Sequence, residues 1–115
     1  MIKGIGTDIV QIARIEETVA QRILTQNEQR FFATLTLPKR RQEWLAGRFA
    51  AKEAIIKALS VATNIIGLRD IEILPDEFGK PIATCPKAGS VQIALSIAHE
   101  HDYAVAFCIV SDTTL

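Results

Sequence analysis

The sequence has no excess of charge of either sign. Lysine and arginine together number 13, aspartate and glutamate also number 13, and the formal net charge is zero. Nucleic-acid binding proteins usually carry a broad positive surface, so this balance argues against that function. Any recognition of a charged ligand must therefore depend on a local cluster.

Long apolar runs are also missing. No stretch reaches the roughly 18–20 apolar residues that cross a bilayer. The beginning, "MIKGIGTDIV", is short and is interrupted by Asp8, so it is not predicted to be a signal peptide. These absences predict a cytoplasmic protein without a membrane part.

Cysteine is scarce, and nothing divides the chain. Cys85 and Cys108 lack CxxC spacing, so free thiols are predicted rather than a disulfide, and Cys108 is expected to be buried because it lies in the apolar run "YAVAFCIV". No internal repeat, low-complexity tract or linker is present. With 115 residues, 49% of them hydrophobic, one domain over 1–115 is expected.

The first third of the chain predicts one strand and two short helices. Residues 2–10 are rich in β-branched positions and favour a strand that ends near Asp8. A short helical stretch is expected from Ile12 to Val19. Thr25 and Glu28 have the spacing of a capping box, which predicts a helix from there to about Leu35.

The rest of the chain predicts one long helix followed by strands. Pro38 suits the first turn of a helix that continues to about Leu59. Strand patterns follow at 68–74, 90–98 and 103–110, and a turn at 75–81 allows a hairpin. This order predicts an α+β fold with a mostly antiparallel sheet packed on the long central helix.

Two acids lie in apolar surroundings. At about 100° per residue, Glu53 falls beside Phe49 and Ile56, at the border of the buried face of the long helix. Asp8 follows small residues and precedes Ile9 and Val10. Two such carboxylates suit Mg²⁺, which takes one or two protein carboxylates and completes its shell with water and phosphate oxygens. The alternative is that Asp8 caps the helix predicted from Ile12 and that Glu53 pairs with Lys57 at i+4.

Basic residues accompany the acids. Lys57, Lys52, Arg48 and the run at 39–41 make the long helix basic, as either a solvated face or a phosphate-binding site. His99 follows a strand and is by itself typical of a surface histidine. The "GKP" turn at 79–81 combines a flexible residue, a cation and a rigid residue.

These pieces in this order resemble the holo-acyl-carrier-protein synthase family, the short bacterial type of 4′-phosphopantetheinyl transferase. The resemblance spans nearly the whole chain. Its most specific parts are "GIGTDIVQIARIE" at 4–16, "LAGRFAAKEAIIKAL" at 45–59, "DIEIL" with "GKP", and "LSIAHEHDYA" at 95–104. It implies transfer of phosphopantetheine from coenzyme A to a serine of an apo carrier protein, with Mg²⁺ as cofactor and adenosine 3′,5′-bisphosphate released.

The resemblance also implies roles for individual residues. Asp8 and Glu53 are the expected metal ligands, and Lys57 is the expected phosphate contact at the reacting centre. Either Glu53 or a metal-bound water is the candidate base for the serine hydroxyl.

The remaining implied roles concern substrate binding and assembly. The residues expected to hold the nucleotide part of coenzyme A are Arg48, Gly79, Lys80, Pro81 and His99. Arg14 and Arg22 are expected to dock an acidic carrier-protein helix. A homotrimer is implied, with each active site between adjacent subunits.

Several features depart from the family pattern, including "AHEH" around His99 and a shortened stretch between Arg14 and Arg22. "SVATNIIGLRD" at 60–70 replaces a threonine–glycine-rich segment, and Ile56 stands where a small polar residue is common. Such departures leave open a noncatalytic relative that binds coenzyme A or carrier protein. An unrelated metal-dependent phosphoryl-transfer enzyme is the other alternative, since acids and lysines serve many such reactions.

Overall fold

The computed structural model describes residues 1–60 and 65–112, so the part of the unusual 60–70 segment at 61–64 lies outside the described residues. In chain order the elements are β1 (Ile2–Gln11), α1 (Val19–Ile23), α2 (Gln26–Ala33), α3 (Pro38–Leu59), β2 (Glu72–Pro75), β3 (Pro81–Thr84), β4 (Gln92–His99) and β5 (Tyr103–Ser111). Short 3₁₀ turns lie at Ile12–Arg14, Leu68–Asp70 and Pro86–Ala88. None of the helices in these ranges is long and apolar enough to cross a membrane.

The strands form one antiparallel sheet and a separate hairpin. The sheet has the order β1-β5-β4, and β2 pairs with β3. Helix α3 packs along one face of the sheet, chiefly against β1 and β5. The predicted α+β fold, an antiparallel sheet on a long helix, is confirmed.

Helix α3 has the bounds that the sequence predicts. Pro38 occupies its first turn, no proline interrupts it, and Ser60 ends it with a left-handed φ of 52°. Its buried face is lined mostly by small side chains, because Ala50, Ala51 and Ala54 are each fully buried. Small side chains allow the sheet to approach the helix closely.

Two glycines of β1 make that approach possible. A Cβ atom on Gly6 would lie 1.8 Å from the carbonyl oxygen of Ala54, and one on Gly4 would lie 1.9 Å from that of Ala58. Neither distance is physically possible, so any side chain there would push the strand away from the helix. The glycines therefore hold β1, and with it Asp8, against α3.

The strand predicted over 2–10 is present as β1, but its predicted end near Asp8 and the helix predicted from Ile12 were wrong. Asp8 lies inside β1, which continues to Gln11 because β5 pairs with it as far as Tyr103. Ile12 then donates its backbone N–H to Asp102 O at 2.8 Å, and this bond holds a 3₁₀ turn in place of the helix predicted from there. The helix forms later, as α1 over Val19–Ile23.

The turn and cap predictions were largely confirmed. Thr25 and Glu28 form both bonds of the capping box at the start of α2, which ends at Ala33, two residues before the predicted end. The hairpin at 75–81 forms, with Gly79 at a φ of +85°. Of the strand predicted at 68–74, the first three residues form a 3₁₀ turn, since the Asp70 carboxylate accepts a hydrogen bond from Gly67 N at 2.8 Å.

Both cysteines are free, as predicted, and Cys108 is buried, as predicted; Cys85 is buried as well. Burial raises the pKa of the Cys108 thiol to about 11, and burial also raises the pKa of Cys85. Each thiol therefore stays protonated at neutral pH and acts as a small apolar side chain.

Candidate active site

Asp8 projects from β1 toward helix α3. It lies opposite Ala106 of β5, on the same face of the strand as Gly6, and its side chain is 18% exposed. Its Oδ1 accepts a 3.0 Å hydrogen bond from Lys57 Nζ, which also donates to Thr7 O at 3.1 Å. The predicted alternative, in which Asp8 caps a helix from Ile12, is wrong, because Gln11 precedes that turn and makes no side-chain cap.

Glu53 lies one helical turn before Lys57 on α3 and is half-buried. Within the described residues its carboxylate makes no hydrogen bond or ion pair. The predicted alternative of a Glu53–Lys57 pair is wrong, since Lys57 bonds Asp8 instead. Glu53 thus provides a carboxylate that is free to bind a ligand, next to the turn that contacts Asp8.

The donor set of Asp8 and Glu53 fits a magnesium ion. Both are hard oxygen donors, and Mg²⁺ commonly binds proteins through one or two carboxylates. Among the described residues no group of three or more histidine, cysteine, aspartate or glutamate donors could hold a metal. The remaining coordination positions would therefore be filled by water and substrate oxygens, which is the usual mode for this ion.

A pocket of about 490 Å³ lies on another side of α3, between the helix, the β2–β3 turn and the end of β4. It brings together four of the five residues predicted to hold the nucleotide: Arg48, Gly79, Pro81 and His99. Lys80 is not among the lining residues; it is exposed, and its backbone N–H donates to Asp76 Oδ1 at 2.9 Å. The turn therefore contributes backbone and the proline ring to the pocket wall.

Arg48 is the most buried cation of this pocket. Its Nε donates to Ile73 O at 3.3 Å, and its guanidinium lies 4.5 Å from the centre of the Trp44 ring. Burial lowers the pKa of Arg48 to about 10, partly opposed by Glu28, and the nearby Arg40 lowers it further. Arg48 remains positively charged at neutral pH and is held in one orientation by its neighbours.

His99 ends β4 and faces the same pocket. Its Nδ1 lies 3.9 Å from Oε2 of Glu43, and its side chain is 39% exposed. Arg40 also lines the pocket, so cationic groups approach it from the helix, and a histidine does so from the sheet. The cationic groups suit a ligand that carries several negative charges. The pocket wall also contains three carboxylates, those of Glu43, Asp76 and Glu77.

The acid pair and the pocket use different sides of α3. At about 100° per residue, Glu53 and Lys57 project roughly 110–150° away from the mean direction of the helix positions that line the pocket, although Glu43 lies only about 40° from Lys57. Those positions are Arg40, Glu43, Trp44, Gly47 and Arg48. One chain therefore presents two separate groups of candidate residues. We call them the acidic half-site, Asp8 and Glu53 with Lys57 beside β1, and the basic half-site, named for Arg40 and Arg48, whose pocket wall beside β4 also carries three carboxylates.

The two arginines predicted to dock a carrier protein lie at the surface. Arg14 ends the 3₁₀ turn after β1, and Arg22 is in α1; both are exposed. Neither makes an ion pair with another described residue. Their charges are available to a partner.

Sequence reasoning missed two features of the site. Trp44 was not singled out, although its position four residues before Arg48 predicts contact between the two side chains on one helix face. The sequence predicts Lys52 on either a solvated face or a phosphate site, but Lys52 is fully buried and paired with Glu28. No local pattern identifies Lys52 as buried, because its partner is 24 residues away.

Comparison with known proteins shows the family of this chain. The family described as the 4′-phosphopantetheinyl transferase superfamily matches residues 4–108. The holo-[acyl-carrier-protein] synthase of Geobacillus sp. (strain WCH70) is 44% identical, over 96% of this chain and 97% of the relative, and that of Bacillus pumilus (strain SAFR-032) is 46% identical, over 92% and 93%.

A solved structure is similar along almost its entire length. It is a holo-(acyl-carrier-protein) synthase from Bacillus anthracis str. Ames in complex with CoA (3′,5′-ADP), with a TM-score of 0.90 and 38% identity, covering 98% of this chain and 99% of the other. The chain therefore belongs to the 4′-phosphopantetheinyl transferase superfamily, within the family of holo-[acyl-carrier-protein] synthases, as its motifs predicted.

Proposed function

We propose that this protein transfers the 4′-phosphopantetheine arm of coenzyme A to a serine of apo acyl carrier protein, with release of adenosine 3′,5′-bisphosphate. The observation that carries the proposal is the contact of Lys57 with Asp8, which joins the two most specific motifs beside Glu53, a carboxylate without a partner among the residues that the structure describes. The B. anthracis relative that shares this fold is a complex with CoA (3′,5′-ADP). A cytoplasmic location is part of the proposal.

The cofactor is Mg²⁺, held by Asp8 and Glu53. When bound, this ion offsets negative charge on the pyrophosphate and on the departing bisphosphate. Because Asp8 also bonds Lys57, the protein places a fixed ammonium group next to the ion-binding carboxylates. A diphosphate has enough negative charge to attract both the magnesium ion and the Lys57 ammonium group.

The reaction is a phosphoryl transfer in which the chain positions groups and moves one proton. The serine oxygen forms a bond to the phosphorus that carries pantetheine, and the bond from that phosphorus to the bridging oxygen breaks. The bridging oxygen leaves with the electron pair as part of adenosine 3′,5′-bisphosphate. Glu53 accepts the serine proton, and Lys57 binds a phosphoryl oxygen.

The 490 Å³ pocket binds the nucleotide part of coenzyme A. Arg48 is charged, orientated and accessible from the pocket, so it suits the 3′-phosphate. His99 adds a second donor, and the turn with Gly79 and Pro81 forms the opposite wall. Lys80 lies at the rim of that turn, where its flexible side chain can reach a bound phosphate.

A homotrimer completes the site. The sheet face away from α3 exposes a patch of large apolar side chains that includes Ile5, Ile9, Val105 and Phe107, each at least 38% exposed. Such a patch favours association with another surface. His99 borders both this face and the nucleotide pocket, so a neighbouring subunit would meet the pocket there. The acidic half-site of one subunit and the basic half-site of the next would then form one active site.

The carrier protein docks through Arg14 and Arg22. Both are exposed and unpaired in the described residues, and they lie after the strand that carries Asp8. Positive side chains near an active site attract an acidic partner and raise its association rate. Their loss should therefore raise KM for the carrier more than KM for coenzyme A.

The test is a mass measurement on apo carrier protein after incubation with coenzyme A and Mg²⁺. The unaltered enzyme should add the mass of phosphopantetheine, and the Glu53→Gln variant should be folded but slower by about 10²–10⁴-fold, since a general base and a charged metal ligand are both lost. Asp70→Asn is the matched control, because it removes a surface carboxylate paired with Lys87 and should keep full activity. No mass gain with any of several bacterial carriers would contradict the proposal.

A further inference from the structure

A fully buried ion pair lies behind the nucleotide pocket and lines neither half-site. Glu28 of α2 and Lys52 of α3 are both 0% exposed, and Lys52 Nζ lies 2.5 Å from Glu28 Oε1. Burial lowers the pKa of Lys52, and the nearby Glu28 opposes that shift. Withdrawing two charges from water is unfavourable unless further hydrogen bonds satisfy them.

The remaining bonds of this pair are all made to backbone. Lys52 Nζ also donates to Ile23 O, at the end of α1. Glu28 Oε1 accepts from Thr25 N at 2.8 Å, and Glu28 Oε2 accepts from Ile73 N at 2.6 Å. The pair thus connects α1, α2 and α3 to strand β2.

The bond to Ile73 leads directly to the pocket. The peptide N–H of Ile73 is held by Glu28, and the carbonyl of the same residue accepts from Arg48 Nε at 3.3 Å. Ile73 is fully buried, so both of its polar groups depend on these partners. Glu28 therefore fixes the strand position that orientates the Arg48 guanidinium.

We infer that Glu28, neutralised by Lys52, is a positioning residue for substrate binding: through Ile73 it sets where Arg48 meets the phosphate of the nucleotide. This inference rests on the proposed function, because it assigns Arg48 to a coenzyme A phosphate. Glu28 itself does not touch the substrate. Its effect appears in affinity for coenzyme A and not in the chemistry at Asp8, Glu53 and Lys57.

Two double variants separate the hydrogen bond from the charge. Glu28→Gln/Lys52→Met removes both charges but keeps an oxygen that can accept from Ile73 N. Glu28→Leu/Lys52→Met also removes both charges and leaves Ile73 N without its acceptor. Neutral replacements of a buried pair are often tolerated or stabilising, so both variants are expected to fold; circular dichroism and thermal unfolding check this.

The measurement is the Kd for coenzyme A and for 3′-dephospho-coenzyme A by calorimetry, with KM and kcat for transfer. The Glu28→Gln/Lys52→Met variant should bind coenzyme A like the unaltered protein. The Glu28→Leu/Lys52→Met variant should bind it about tenfold more weakly, with kcat within about twofold. Affinity for the dephospho compound should be nearly equal in all three proteins. An equal loss for both ligands would overturn the inference, since it would indicate general disruption of the pocket.

A double-mutant cycle with Arg48→Ala supplies the decisive comparison. If Glu28 acts through Arg48, the Glu28→Leu/Lys52→Met change should have almost no further effect on coenzyme A affinity once Arg48 is absent. The same tenfold loss in the Arg48→Ala background would refute the inference.

Of three further outcomes, one calls for a replacement variant, and two are decisive. Should Glu28→Leu/Lys52→Met fail to fold, Glu28→Asp, which withdraws the carboxylate by one methylene, takes its place in the cycle. Unaltered protein that neither binds coenzyme A nor modifies a carrier would overturn the proposed function and this inference together. Binding by the unaltered protein that no variant changes would refute the inference alone.

Discussion

Nζ of Lys57 lies 3.0 Å from Oδ1 of Asp8, across 49 residues of sequence. This contact joins helix α3 to strand β1 on the side of the helix that carries Glu53. It leaves Glu53 without a protein partner among the described residues. The lysine therefore links helix α3 to strand β1 and places a positive charge beside the two carboxylates.

Replacing Lys57 should impair chemistry more than substrate binding. Lys57→Met keeps the length of the side chain but removes the ammonium group, and the transfer rate is expected to fall by about 10²–10³-fold because a charge that stabilises the transition state is lost. KM for coenzyme A should change far less, because Arg48 and His99 lie in the other half-site. Steady-state transfer kinetics with purified carrier measure both constants.

Lys87→Met is the matched control for that variant. Lys87 is an exposed lysine paired with Asp70, and its loss should leave kcat unchanged. A Lys57→Met enzyme with normal kcat would show that the Lys57–Asp8 contact is structural only.

Gly6→Ala should separate the strand from the helix. The added methyl would lie 1.8 Å from the carbonyl oxygen of Ala54, so β1 must shift, with a loss of about 3 kcal/mol in the free energy of unfolding. Asp8 would move with the strand, and the transfer rate should fall even at temperatures where the variant is folded. Urea unfolding and transfer assays measure the two effects.

Gly67→Ala is the corresponding control. An added Cβ at Gly67 would meet its nearest atom, Asp70 Oδ2, at an ordinary 3.6 Å, and the residue has a φ of −93° that alanine accepts. Its stability should stay within about 0.5–1 kcal/mol of the unaltered protein. Equal losses for both glycine variants would contradict the close-approach argument.

Local sequence signals predicted the fold where a local interaction decides it. The capping box at Thr25 and Glu28, the start of α3 at Pro38 and the hairpin glycine at Gly79 each depend on contacts within a few residues. The extension of β1 to Gln11 could not be predicted in this way, because pairing with Tyr103 decides it. Tertiary pairing overrode the local pattern there.

The same distinction applies to the site. The charge and position of Glu53 on α3 predicted a carboxylate in need of a partner, since helix periodicity alone gives that result. The burial of Lys52 could not be predicted, because its ion pair with Glu28 forms only when α2 packs on α3. The division into two half-sites follows from where β4 and β1 lie around the helix, which no single motif encodes.

The two thiols should be unreactive at neutral pH. Cys85 and Cys108 are buried, and burial raises the pKa of both. Alkylation by iodoacetamide at pH 7.5 is therefore expected only in denaturant, because the thiolate is the reactive form. Mass spectrometry of the alkylated protein counts the modified thiols, and rapid labelling of the folded protein would contradict their burial.

Cys108 also predicts how stability depends on pH. Its pKa is about 11 when folded and near 9.0 without burial, so above pH 9 the unfolded chain has released a proton that the folded chain keeps. Stability from this group is therefore complete below pH 9 and falls as pH rises toward 11. Compared with Cys108→Ala, the unaltered protein should lose about 1 kcal/mol of unfolding free energy between pH 8 and pH 10. Parallel pH profiles of the two proteins would refute this shift.

A charge on the apolar sheet face should dissociate the proposed trimer. Phe107 is 44% exposed on β5, next to β1, whose Ile5 and Ile9 are 62% and 63% exposed. Phe107→Asp places a carboxylate where association would bury it without a partner, and that is unfavourable by several kcal/mol per ion.

Light scattering should give a trimer mass for the unaltered protein and a single-chain mass for the variant. Transfer activity should fall when the trimer dissociates, because each subunit would retain only its own half-sites. Leu37→Asp changes an apolar residue that is 69% exposed at the start of α3, outside the strands of the sheet, and should leave the trimer mass intact. A single-chain mass for the unaltered protein with full activity would show instead that one chain completes the site by itself.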